Sequence, residues 1–76
     1  MPRLPVVSSR ELIRTLKKLG FVEHAERGTS HLVFSHPDGR RIVVARHSGD
    51  IPRGTLRGII RDLDISVADF VSFLKK

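Results

Sequence analysis

One histidine, His31, lies in a short run whose residue types could perform acid–base chemistry. A glycine turn leads into strand-forming residues, in the order Gly28, Thr29, Ser30, His31, Leu32, Val33, Phe34. Imidazole changes its charge near neutral pH, so it can take up or release a proton during a reaction. A strand histidine is also commonly a surface or structural residue, and the run alone leaves both roles open.

The chain carries a surplus of positive charge that suggests an anionic target. Its 14 Lys and Arg residues exceed its 8 Asp and Glu residues, which gives a formal net charge of +6. Charges from residue 64 onward cancel, so the whole surplus lies before that position. This balance is typical of proteins that bind nucleic acid phosphates, although some small proteins are basic only for solubility.

Length and composition restrict the class of protein. The 76 residues suit one domain, residues 1–76, with no room for a separate cofactor domain. The absence of cysteine excludes disulfides, thiolate metal sites and thiol nucleophiles, and is what a reducing cytoplasm permits. No apolar run has the length of a membrane span or resembles a signal peptide. We therefore expect a cytoplasmic protein with no membrane partner.

Hydrophobic periodicity predicts three helices. Ser8 and Glu11 form a capping-box pattern for a first helix over roughly residues 9–19, which Gly20 ends. A second helix and a short last helix, preceded by Ser66, follow from apolar residues at helical spacing. The three apolar stripes are Leu12, Ile13, Leu16 and Leu19; Leu56, Ile59, Ile60 and Leu63; and Val67, Phe70, Val71 and Leu74.

Three strands are predicted between the first two helices, over residues 21–27, 30–35 and 41–46. Alternation in the second strand separates Leu32 and Phe34 from His31, Val33 and Ser35. Ile42 and Val44 can join the buried side, and a slip of one residue would replace them with Val43 and Ala45. We expect an α+β fold of order α-β-β-β-α with a short C-terminal helix, in which the helices cover one face of an antiparallel sheet.

Basic residues form rows opposite the apolar stripes of the first two helices. The second helix carries Arg53, Arg57 and Arg61 about one turn apart, and the first carries Arg10, Arg14, Lys17 and Lys18. Either row could follow a phosphate backbone or simply face solvent.

A metal or cofactor site is not predicted. The four histidines lack the spacing that brings two ligands to one metal ion, and the aspartates do not cluster with them. His24, His36 and His47 are weaker candidates than His31, and His47 could at most contact a bound nucleic acid. The glycines form no phosphate-binding loop, so we interpret them as turn and cap residues.

Over about residues 8–66, the chain resembles the HicA toxins of HicA/HicB toxin–antitoxin pairs. The resemblance combines a strand entry, a basic hairpin and a helix start. These motifs are Gly20-Phe21, Gly28-Thr29-Ser30-His31, His36-Pro37-Asp38-Gly39-Arg40-Arg41, Ala45-Arg46-His47 and Gly54-Thr55-Leu56-Arg57. Many relatives have Gly-Ser followed by two histidines, whereas here Thr29 precedes Ser30 and Leu32 follows His31.

The resemblance implies a fold like the double-stranded-RNA-binding domain and a metal-independent endoribonuclease, an mRNA interferase, that needs no cofactor. It implies mRNA as substrate, His31 as the catalytic histidine and a HicB-like antitoxin that covers the site. A non-catalytic RNA-binding module of the same fold is the alternative. Val33 and Val43, if they share the face of His31, could contact a protein partner or simply fill the strand.

RNA cleavage requires chemistry that these residues could supply. The 2′-hydroxyl must lose a proton and the leaving 5′-oxygen must gain one, while cations neutralise the charge that develops at phosphorus. We expect RNA contacts from Ser30 and His47 and from five arginines: Arg41, Arg46, Arg53, Arg57 and Arg61. Which proton His31 handles, and which group handles the other, stays open.

Overall fold

A computed structural model describes residues 3–25, 31–45 and 49–76. Its helices are α1 (Ser9–Lys18), α2 (Arg53–Leu63) and α3 (Val67–Leu74), and its strands are β1 (Val22–Ala25), β2 (His31–Ser35) and β3 (Arg41–Ala45). This order confirms the predicted α-β-β-β-α arrangement with an added C-terminal helix. Among the described helices, none has both the length and the apolar character to cross a bilayer.

The predicted capping box at the start of α1 is present. The backbone N–H of Glu11 donates to Ser8 Oγ, and the backbone N–H of Ser8 donates to Glu11 Oε1, both at 3.1 Å. The Ser8 hydrogen bonds, chiefly the one from its backbone, hold the pKa of the Glu11 carboxyl below its ordinary value. The cap thus satisfies backbone groups that the first turn leaves without helical partners.

The three strands form an antiparallel sheet in the order β1-β2-β3. Leu32 pairs with Val44 and Phe34 pairs with Ile42, so of the two registers that the sequence left open, the one that buries Ile42 and Val44 is observed. All four side chains are buried. A slip would have brought Val43, which is 50% exposed, into the core instead.

The main core lies between the sheet and the helices. Leu12 and Leu16 of α1, Phe34 of β2, Leu63 of α2 and Phe70 of α3 each have a relative exposure of 0%. Residues from every helix, together with β2 and β3, belong to one cluster of buried apolar side chains. The helices therefore cover one face of the sheet, as the apolar stripes predict.

The hairpin between β2 and β3 contacts residues at the C-terminal end of α2 and just after the C-terminal end of α1. Arg40 donates from Nη1 to the carbonyl of Leu63 at 2.5 Å and lies over the ring of Phe21, 5.2 Å from its centroid. Its Nε also donates to Asp38 Oδ2 at 2.8 Å. On the other side of the turn, the His36 ring contacts Phe21 with centroids 5.1 Å apart. These contacts hold the C-terminal end of β2 in place.

The segment before α1 is paired with the segment before α2. The backbone N–H of Ile51 donates to the carbonyl of Val7 at 2.8 Å, and Ser8 forms an isolated bridge with Asp50. Leu4, Val7 and Ile51 are buried. This pairing, which the sequence analysis did not anticipate, brings the N-terminal ends of α1 and α2 together.

The capping box makes a testable contribution to stability. Glu11→Gln keeps the side-chain acceptor but removes the charge, so we expect the wild type to be more stable at pH 7. Because folding lowers the pKa of Glu11, this advantage is complete above the unfolded-state pKa and is lost as pH falls through the folded-state pKa. Urea denaturation of both proteins between pH 7 and pH 2 measures the difference; a gap that does not change with pH would contradict the assignment.

Candidate active site on the open face of the sheet

The face of the sheet opposite the helices carries a row of polar and apolar side chains. Strand alternation places His31, Val33 and Ser35 of β2 on this open face. The strand register adds two positions from β1 and three from β3: Val22, His24, Arg41, Val43 and Ala45. We refer to these eight positions as the open face.

His31 begins the central strand and pairs with Ala45 of β3. The His31 residue is exposed, whereas its neighbour Leu32 is 7% exposed and belongs to the core. The expectation that the imidazole stands on the face away from the helices is confirmed. A bound molecule can therefore reach this ring from solvent without rearrangement of the core.

His24 is the second histidine on the described part of the open face, although its sequence context made it a weaker candidate than His31. It pairs with Val33, and its Nε2 lies 2.7 Å from the Ser35 hydroxyl. The sequence signal for this position is the spacing of two residues between Val22 and His24, which places both on one side of β1. A four-residue strand is too short for this alternation to be decisive.

The apolar residues of the open face differ in exposure. Val22 is 56% exposed and Val43 is 50% exposed, whereas Val33 is only 6% exposed. Val33 lies outside the main core cluster and is flanked by His24 and Val43 on the neighbouring strands. Val33 and Val43 do share a face with His31, which the sequence left open, and Val43 offers the accessible surface.

Arg41 lies on the open face at the opposite end of β3 from Ala45. It is exposed and pairs with Ser35, while His31 pairs with Ala45. Four residues of strand correspond to about 13 Å. The Arg41 backbone is therefore about that far from Ala45, the residue that pairs with His31. This placement suits contact with a neighbouring phosphate along a bound strand.

Two of the predicted α2 arginines border an open groove. Arg53 and Arg57 line it together with Arg3, and its volume is about 920 Å³. Its other lining residues come from the N-terminal segment and the start of α3: Leu4, Ser66, Val67 and Ala68. Arg61, one turn further along α2, does not line this groove.

The start of α2 has an unusual charge arrangement. Pro52 provides no side-chain cap, and the first turn contains no acidic residue but includes Arg53. Cations are unfavourable at this end of a helix because the backbone dipole is positive there. Within the described ranges, Arg3, Arg53 and Arg57 form no ion pairs. The groove is therefore a concave surface with uncompensated positive charge.

Three predicted site residues, Ser30, Arg46 and His47, lie outside the described residues. His36 is described, and its Nδ1 accepts a hydrogen bond from the Asp38 backbone N–H at 3.1 Å. With its ring against Phe21, His36 serves the hairpin rather than the open face. Across residues 3–25, 31–45 and 49–76, no group of three or more His, Cys, Asp or Glu residues could hold a metal ion.

Most of the chain matches a known protein family. Residues 9–65 match the family model described as the HicA toxin of bacterial toxin–antitoxin systems. The chain belongs to the HicA toxin family. The family model spans α1, the three strands and α2, so His24 and His31 lie within the matched region. A comparison with curated proteins finds no match.

Membership of the HicA family gives the chain a toxin role in a toxin–antitoxin system. A toxin of this kind has an antitoxin as its partner. Arg3, which lines the groove beside α2, and α3, whose start also borders it, lie outside the matched region. The groove is therefore built partly from family positions and partly from flanking segments of this chain.

Proposed function

We propose that this HicA-family chain is a metal-independent endoribonuclease that cleaves mRNA, with His31 as a general acid or base. The observation that carries the proposal is the exposure of His31 on the open face of a chain that belongs to a toxin family. An imidazole can take up or release a proton during a reaction, and its exposure here lets a bound backbone reach it. The net charge of +6 favours a polyanionic substrate.

The proposed reaction uses the RNA's own 2′-hydroxyl as nucleophile. The 2′-oxygen loses its proton and forms a bond to the adjacent phosphorus, while the bond from phosphorus to the 5′-oxygen breaks. The leaving oxygen takes up a proton, which gives a 2′,3′-cyclic phosphate and a 5′-hydroxyl end. His31 would handle one of these two protons, and no metal ion is needed if protein cations stabilise the phosphorane.

Positive side chains around the sheet would hold the RNA backbone. Arg41 lies on the open face, and Arg53 and Arg57 line the groove beside α2. We include Ser30, Arg46 and His47 in the RNA-binding surface on the sequence argument, and Arg61 as a cation outside the groove. Contacts of this kind position the strand without reading its sequence.

We further propose that a HicB-like antitoxin neutralises the toxin by covering the open face. Val22 and Val43 are each at least half exposed there, and His31 lies on the same surface. Exposed apolar side chains surrounded by polar and charged ones are typical of protein interfaces. An acidic antitoxin surface would also complement the charge of the toxin.

His31→Ala tests the nuclease proposal. We expect the wild type to cleave RNA in EDTA and the variant to lose about 100-fold or more of the rate, because a general acid or base contributes that much. An all-deoxyribose oligonucleotide should resist the wild type because it has no 2′-hydroxyl. Gel analysis of end-labelled substrate measures cleavage, and thermal unfolding confirms that the variant is folded. Wild-type protein that binds RNA but leaves it intact would instead identify a non-catalytic RNA-binding module.

The groove gives a second prediction with a matched control on the same helix. Arg57→Ala and Arg61→Ala each remove one exposed arginine from α2, but only Arg57 lines the groove. On uncleavable 2′-O-methyl RNA, we expect Arg57→Ala to reduce the slope of log K against log salt by about 0.7, the effect of one phosphate contact on a single strand. Arg61→Ala should change the slope less. Equal changes for the two variants, measured by fluorescence anisotropy, would show that the groove has no special role.

A further inference from the structure

His24 and His31 are diagonal neighbours on the open face. His24 lies opposite Val33 on the adjacent strand, and Val33 is two residues from His31 along β2. Positions related in this way are about 7–8 Å apart in an antiparallel sheet. Both side chains project from the same face, and both residues are exposed. The His24 Nε2 faces Ser35, on the side of Val33 away from His31, so a phosphate group held by both histidines would lie over Val33 and meet the Nδ1 edge of His24.

The proposed cleavage reaction needs proton transfer at two places. The attacking 2′-oxygen and the leaving 5′-oxygen lie on opposite sides of the phosphorus in an in-line displacement. A group beside one oxygen is therefore poorly placed to serve the other at the same moment. Two imidazoles at the separation of a diagonal pair can serve both oxygens, one as a base and one as an acid.

We propose that His24 is the general acid of this chain, which rests on the nuclease function proposed above. His31 takes the proton from the 2′-hydroxyl as the new oxygen–phosphorus bond forms. The protonated His24 ring donates its proton to the 5′-oxygen as the bond from phosphorus to that oxygen breaks. The net result is transfer of one proton from the 2′-oxygen to His31 and of another from His24 to the leaving group.

The surroundings of His24 suit a proton donor. Ser35 Oγ lies 2.7 Å from Nε2 and can accept a hydrogen bond from the protonated ring, which leaves Nδ1–H available for the substrate. On the described part of the open face, the titratable or charged side chains around His24 are His31 on β2 and Arg41 on β3. Glu23, the adjacent residue in β1, projects to the other face. Ser35 thus acts as a positioning residue for the acid.

His36, the other histidine in the described ranges, is unsuited to this role. Its ring packs against Phe21, and its Nδ1 is engaged by the hairpin backbone at Asp38. The hairpin is also fastened to α2 through Arg40, on the side away from the open face. His24 is therefore the histidine that the sheet register itself brings beside His31.

Substrates that differ only in the leaving atom test the assignment. Ordinary RNA is compared with RNA that has sulfur in place of the bridging 5′-oxygen, because a thiolate leaves without needing a proton. We expect His24→Gln, which keeps a hydrogen-bonding partner for Ser35, to cleave ordinary RNA about 100-fold or more slower than the wild type. On the sulfur substrate, the same variant should approach the wild-type rate. His31→Ala should be slow on both substrates.

Glu23→Gln serves as the control, because it changes the adjacent residue of β1 on the opposite face. It should match the wild type on both substrates. His24→Gln that is as fast as the wild type on ordinary RNA, or equally slow on both substrates, would overturn the assignment, as would rescue of His31→Ala by sulfur. If the wild type cleaves neither substrate, the nuclease function itself fails, and the role of His24 fails with it.

Discussion

The structure depends on the pairing of β2 with β3, because a strand presents alternate residues to opposite faces. Leu32 and Phe34 are buried with Val44 and Ile42 against the helices, and this forces His31 and Ser35 to the other side. Burial of each such side chain stabilises the fold by about 1.5–3 kcal/mol. A shift of one residue in the strand pairing would remove these contacts and turn His31 toward the core. The same register therefore determines both the core packing and the position of His31.

Contacts outside the sheet determine where the positive charge lies relative to this face. The backbone pairing of Val7 with Ile51 holds the start of α2 next to the start of α1. Arg53 begins α2 two residues after Ile51, so this pairing helps to fix the position of the groove that Arg53 and Arg57 line.

Sequence patterns predicted most of this architecture, because the apolar periodicities are strong in the three helices and in β2. They did not predict that His24 lies on the open face beside Ser35, since β1 has only four residues and shows no clear alternation that would reveal its register with β2. The groove could not be predicted because its arginines are far apart in the sequence. Arg3 lines the same groove as Arg53 and Arg57 only because Leu4 and Val7 pack into the core. The low exposure of Val33 likewise depends on neighbours from two other strands.

The proposed function requires that RNA contact the open face of the sheet, where His31 lies. Titration of the protein with 2′-O-methyl RNA, followed through the NMR signals of the histidine rings, tests it directly. We expect the His31 and His24 signals to shift together at the same RNA concentration, while the signal of His36, whose ring is held in the hairpin, changes little. A large shift at His36 with none at His31 and His24 would contradict it.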